Sequence, residues 1–76
     1  MDTQTRPIFE TREQAFDWMY AEVNDDCVDN ERFAFEDDDE ALHQYSDQER
    51  NGCCGSFDEN IIVNGRKAII GCNYGH

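Results

Sequence analysis

Residues 61–70 read Ile61-Ile62-Val63-Asn64-Gly65-Arg66-Lys67-Ala68-Ile69-Ile70, two apolar runs joined through Asn-Gly. A two-residue type I′ turn needs positive φ at both central positions, and Asn-Gly meets that need at the lowest steric cost. The stretch therefore predicts an antiparallel hairpin pairing Ile61–Val63 with Ala68–Ile70. A lone hairpin is marginal in water, so further strands and a covering layer have to come from elsewhere in the chain.

Upstream, Arg32-Phe33-Ala34-Phe35-Glu36 alternates and places Phe33 and Phe35 on one face of a strand. Thr11 with Gln14 three residues on forms a capping-box pattern ahead of Phe16, Met19, Tyr20 and Val23, whose spacing predicts an amphipathic helix. Asn24 and two aspartates supply its stop. Trp18 stands about 200° from Phe16 around that helix, so it reads either as a contact residue or as part of a widened core face. Asp37 to Asp39 offer an N-cap for a second helix through Ala41, Leu42, Tyr45 and Gln48, which Asn51 and Gly52 would end. The expected fold class is α+β, a small antiparallel sheet of the C-terminal β-hairpin plus one strand, packed against the N-terminal amphipathic helix. Residues 1–76 read as a single small acidic domain, with residues 1–8 a flexible leader.

Composition narrows the function. The 76 residues are 38% hydrophobic, below the ~45–50% usual for globular chains, but nine aromatic side chains supply packing volume. Eighteen acidic against six basic residues give a formal charge of −12. Such a field repels nucleic acid and anionic membranes and favours basic partners. Met1 to Arg12 holds no apolar run of the kind a signal peptide needs, so a cytosolic location is expected. In that compartment Cys27, Cys53, Cys54 and Cys72 are expected as thiols or metal ligands and not as disulfides.

Candidate chemistry is sparse. Cys72 and His76 stand at the C-x3-H spacing of zinc sites, with Cys53 or Cys54 as a third ligand and Cys27, His43 or a carboxylate as the fourth. Adjacent strand cysteines point to opposite faces, so only one of Cys53 and Cys54 could join. Otherwise a buried cysteine is a small apolar residue. The acidic run fails the calcium-loop template, which demands a glycine at the sixth position. Gly52 to Gly55 reads as a turn, since a strand and a negative field follow where a phosphate loop would open a helix. No pocket-bound carboxylate pair or Cys-His nucleophile has a sequence signature, so catalysis is not expected.

The charge itself remains. Asp25, Asp26, Asp29, Glu31, Glu36, Asp37, Asp38, Asp39 and Glu40 surround the Phe33–Phe35 segment, which places carboxylates on structured elements. A charge run is commonly only a solvated face. In size, charge and α+β patterning, the chain resembles the small acidic proteins that bacteriophages and mobile elements make against host defence, among them anti-CRISPR proteins and DNA mimics. That resemblance is one of class and implies a non-catalytic inhibitor or regulator; the charge points to a basic, nucleic-acid-handling host protein as its target and to those nine acids as the contact, with no direct nucleic acid or membrane binding. The alternative reading is a zinc-stabilised adaptor built on Cys53 or Cys54, Cys72 and His76. An exposed strand edge leaves homodimerisation open.

Overall fold

A computed structural model of the chain describes residues 6–50 and 55–75. Its elements are β1 (Ile8–Phe9), α1 (Arg12–Val23), β2 (Val28–Phe35), α2 (Asp39–Arg50), β3 (Gly55–Val63) and β4 (Arg66–Tyr74). They form an α+β fold around a four-stranded sheet of order β1-β3-β4-β2. β3–β4 and β2–β4 are antiparallel, while β1 lies parallel to β3.

The hairpin turns where Asn-Gly places it. Val63 pairs with Arg66, and Asn64 and Gly65 take φ of 53° and 78° between them. Pairing then runs on to Gly55 opposite Tyr74, well past the apolar runs. The added segment carries only Phe57 as a large apolar side chain, and Phe57 finds its partner in Trp18, ring centroids 5.8 Å apart.

α1 begins at the expected cap, with Thr11 Oγ1 accepting the Gln14 N–H at 3.2 Å. Gln14 Oε1 accepts in return from Glu10 N–H, one residue earlier than a standard capping box. Asn24 ends the helix in the left-handed region at φ 52°, its N–H donating to Tyr20 O. Ala15 and Met19 are fully buried against Ile61, Val63, Ala68, Ile70 and Cys72. One reading is decided here and one expectation shifts. Trp18 belongs to a widened core face, packed on Phe9 and Phe57. Tyr20, expected in the apolar stripe, is 41% exposed and donates its hydroxyl to Glu31 at 2.9 Å. With Ala15 and Met19 at the centre of the contact, the two side chains fall on opposite flanks.

The sheet has one strand more than expected, and it is mixed. β1 arises in the stretch read as leader: Ile62 N–H donates to Pro7 O at 2.9 Å, and Asn64 N–H to Phe9 O. Arg6 also pairs with Glu36 at 3.0 Å. A two-residue strand carries no periodicity, so only its tertiary partner makes it visible.

β2 divides its side chains between the sheet's two faces. Phe33 and Phe35 point toward α1, where Phe16 lies 6.1 Å from Phe33. Arg12 and Arg66 lie over the Phe33 and Phe35 rings at 5.4 and 3.7 Å. Arg32 and Ala34 point the other way, toward α2, and both are buried. Between Asp29 and Arg32 the register shifts by a bulge, with Asn30 at φ 55°.

Candidate functional site

Asp38 caps α2, its Oδ1 accepting Ala41 N–H at 3.1 Å and its carbonyl accepting from Leu42. The helix lies over β2 and buries Tyr45, with Ala41 and Leu42 partly covered. Its remaining residues from Asp39 to Glu49 face solvent.

The nine acids singled out above do not form one continuous surface. Asp25 and Asp26 precede β2, Asp29 and Glu31 lie in its first half, and Glu36 to Glu40 follow it, so even Glu31 and Glu36 stand about 17 Å apart along the strand. Five of the nine also serve the fold. Asp25 accepts the Cys27 N–H, Glu31 accepts the Tyr20 hydroxyl, and Asp38 is the helix cap. Glu36 pairs with Arg6, and Asp37 with Arg66 at 2.7 Å. That Arg66 hydrogen bond holds the Asp37 carboxyl below its ordinary pKa. The carboxylates of Asp26, Asp29, Asp39 and Glu40 make no hydrogen bond or ion pair among the described residues.

α2 extends the acidic surface to residues the sequence reading passed over. Asp47 and Glu49 lie in its last turn, beyond Asp39 and Glu40 in its first, and all four are exposed. Asp47 lies 3.9 Å from His43. In α1, likewise, Glu22 occupies a last turn that holds no basic residue. Both helix ends were legible, at Asn24 and at Asn51-Gly52, so the unfavourable placing of these acids against the helix dipole could have been read from the sequence.

Beneath α2 lies a polar cluster that sequence reasoning missed. Arg32, only 2% exposed, donates from Nη1 to Asn73 Oδ1 (2.7 Å) and Asn30 O (3.1 Å), and from Nη2 to Asp58 Oδ1 (3.1 Å) and Cys72 O (3.4 Å). Tyr45 donates to the same Asp58 oxygen at 2.5 Å, and its ring lies 5.3 Å from the guanidinium. Burial, then the Asp58 hydrogen bond, push the Tyr45 hydroxyl far above its ordinary pKa. It stays protonated, so it is a donor and not a base. Arg32 Nε has no partner among the described residues. The cluster joins α2 to the sheet. Parity could have found it: Arg32 falls on the strand face opposite Phe33 and Phe35.

For zinc, the structure describes only part of the expected ligand set. Cys53, Cys54 and His76 lie outside the described residues. Cys72 is fully buried on the α1 side, and burial raises its thiol pKa, which disfavours the thiolate a metal needs. His43 is exposed on α2, across the sheet from Cys72, so it cannot serve as the fourth ligand. Among the described residues no three His, Cys, Asp or Glu side chains converge as a metal site. No described helix is long and apolar enough to cross a membrane.

One shallow depression is lined by Glu36, Asp37, Gly65, Arg66 and Lys67. Its charges largely neutralise one another, with Asp37 and Arg66 already paired across it. No family model, curated protein or solved structure matches the chain. Function has to be argued from the surface.

Proposed function

We propose that the protein is a non-catalytic inhibitor or regulator that acts in the cytosol by covering the basic surface of a nucleic-acid-handling host protein. The exposed acids of α2 are the contact, in the manner of the DNA-mimicking and anti-CRISPR proteins of phages. The supporting observation is where the acids sit. Asp39 and Glu40, at the helix N-terminus, favour the helix dipole, but Asp47 and Glu49 oppose it, each by about 0.3–1 kcal/mol. Helix formation alone would select against carboxylates there. A partner that reads negative charge accounts for them.

Spacing sharpens the reading. From Asp39 to Glu49 the helix rises about 15 Å, so the three intervals between its four carboxylates average about 5 Å. Duplex DNA carries a charge per ~1.7 Å of axis, and one strand a charge per ~3.4 Å. That mean is nearer one strand's spacing than a duplex's, with the acids gathered at the two ends of the helix, Glu40 and Asp47 about 10 Å apart.

The test neutralises Asp39→Asn, Glu40→Gln, Asp47→Asn and Glu49→Gln together. Two favourable and two unfavourable dipole terms vanish, so folding stability should change by less than about 1 kcal/mol. Wild type and variant are immobilised, and host proteins retained on each are identified with and without excess single-stranded and duplex DNA. Nucleic-acid-binding proteins should be retained by wild type, displaced by DNA, and lost from the variant. Equal retention by the folded variant, or retention indifferent to DNA, refutes the proposal.

A further inference from the structure

Among the described residues, β3 presents an open edge over most of its length. Val63 and Arg66 flank a two-residue turn and form a hydrogen-bonded pair, so odd-numbered residues of β3 direct their main chain to β4. Ser56, Asp58, Asn60 and Ile62 therefore direct theirs outward. The Ile62 N–H to Pro7 O bond agrees with that parity. β1 covers only Ile62 and Val63. The next rung toward the N-terminus would need an N–H from residue 7 to the Asn60 carbonyl, and proline has none. Among the described residues, nothing pairs with Ser56, Asp58 or Asn60 on that side.

Of the devices that protect strand edges, this one has charge alone, in Asp58 and Glu59, which opposes an acidic strand and not a basic one. Proline, lysine and bulges blunt edges in general, whereas Gly55–Asn60 contains neither residue and keeps an unbroken register with β4. The opposite edge, β2, has the bulge at Asp29–Arg32 and is overlaid by α2. Asp58 is exposed as a residue although its side chain is only 25% exposed, so much of what reaches solvent there is main chain.

The flanking side chains state what the edge would take. On one face Asp58 offers Oδ2, which has no partner among the described residues, while Oδ1 is held by Arg32 and Tyr45. On the other, Glu59 stands exposed beside Phe57, whose half-buried ring meets Trp18. β1 already uses this shelf, since its Phe9 packs on Trp18 with centroids 5.5 Å apart. A second copy of the chain is a poor occupant. Pairing β3 with itself would set Asp58 and Glu59 of one acidic chain against those of another.

We propose that the Gly55–Asn60 edge of β3 is a strand-addition site for an extended segment of a partner protein with alternating basic and apolar residues. Main-chain hydrogen bonds to Ser56, Asp58 and Asn60 hold the segment. Its basic side chains meet Asp58, and its apolar ones meet the Trp18–Phe57 shelf beside Glu59. This site is separate from the exposed acids of α2, a helix that lies over the other edge of the sheet, and either can fail without the other.

The probe is a capped hexapeptide of alternating lysine and valine, titrated into the full-length isotope-labelled protein with amide shifts and hydrogen exchange recorded. Saturable shifts at Ser56, Asp58, Asn60 and the Trp18 indole are expected, with the three amides gaining protection. A capped glutamate-valine peptide should not bind. Ser56→Pro removes an outward amide without touching the β4 ladder, and should weaken binding about tenfold, the equivalent of one or two edge hydrogen bonds. Glu59→Lys, on the face that takes the apolar side chains, should weaken it by a smaller factor through longer-range charge, with the hairpin's own exchange pattern as the check on folding. Shifts confined to α2, unchanged affinity in both variants, or equal binding of the glutamate peptide would overturn the proposal. So would protection of Ser56 and Asp58 in the peptide-free protein: concentration-independent protection assigns the edge to the chain's own terminus, and concentration-dependent protection to a second copy.

Discussion

Replacing Arg32 with methionine tests whether the polar cluster holds α2 to the sheet. The guanidinium makes three hydrogen bonds of 2.7–3.1 Å and one of 3.4 Å, to Asn73, Asn30, Asp58 and Cys72. Breaking a buried charge pair by removing one partner costs about 3–5 kcal/mol. Here the figure belongs at the low end, because the Asp58 side chain is 25% exposed and can rehydrate, and Arg32 Nε already lacks a partner. We expect a loss of about 3 kcal/mol, set against a total of about 4–11 kcal/mol for 76 residues. In a domain of this size that lowers Tm by about 12–24 °C. Urea and thermal unfolding of wild type, Arg32→Met, Asp58→Asn and the double variant, followed by circular dichroism, complete the measurement. Asp58→Asn should cost about 1 kcal/mol less in the Arg32→Met background than alone, since no buried cation is then left unpaired. A loss below about 1 kcal/mol for Arg32→Met, with the two substitutions additive, would refute the reasoning and make the arginine a bystander.

Gly71→Ala should destabilise by about 3 kcal/mol or more, because the added Cβ would collide with Tyr45 Oη, Asp58 Oδ1 and the Phe57 carbonyl, one of which is main chain; chemical denaturation checks it. Tyr45 predicts an alkaline limb. Its folded pKa is raised, so its contribution is intact below the unfolded value near ~10 and falls by about 1.4 kcal/mol per pH unit above it. Tyr45→Phe should remove that share of the slope, leaving those of Tyr20 and Cys72, whose pKa values burial also raises, while lowering stability at neutral pH, as denaturation at pH 8 to 11 would record. With a charge of −12, the protein should also melt higher as salt rises from ~0.01 to ~0.15 M, where the Debye length contracts from ~30 to ~8 Å. A Tm that falls or stays constant would mean that the internal ion pairs, such as Arg6–Glu36, outweigh the general repulsion.

The local elements were legible because short-range chemistry specifies them. Asn64-Gly65 determines the hairpin through its φ values, Thr11 and Asn24 bound α1, and Asp38 opens α2. The alternation of Phe33 and Phe35 identifies the strand that joins the hairpin, and the α+β class follows from those elements together. Tertiary structure alone decided three other matters. β1 exists because Ile62 accepts it as a neighbour, not because two residues prefer to be extended. Arg32, Tyr45, Asp58 and Asn73 meet only because the β2–β4 and β3–β4 registers set Arg32 and Asp58 opposite Gly71 from either side. The acidic run divides for a related reason: β2 carries its two ends apart, and local caps and arginines engage five of the nine side chains. Turns and caps are settled within four or five residues of chain. Register, edge exposure and the sharing of a buried cation depend on residues more than twenty positions apart, where sequence pattern carries no distance information.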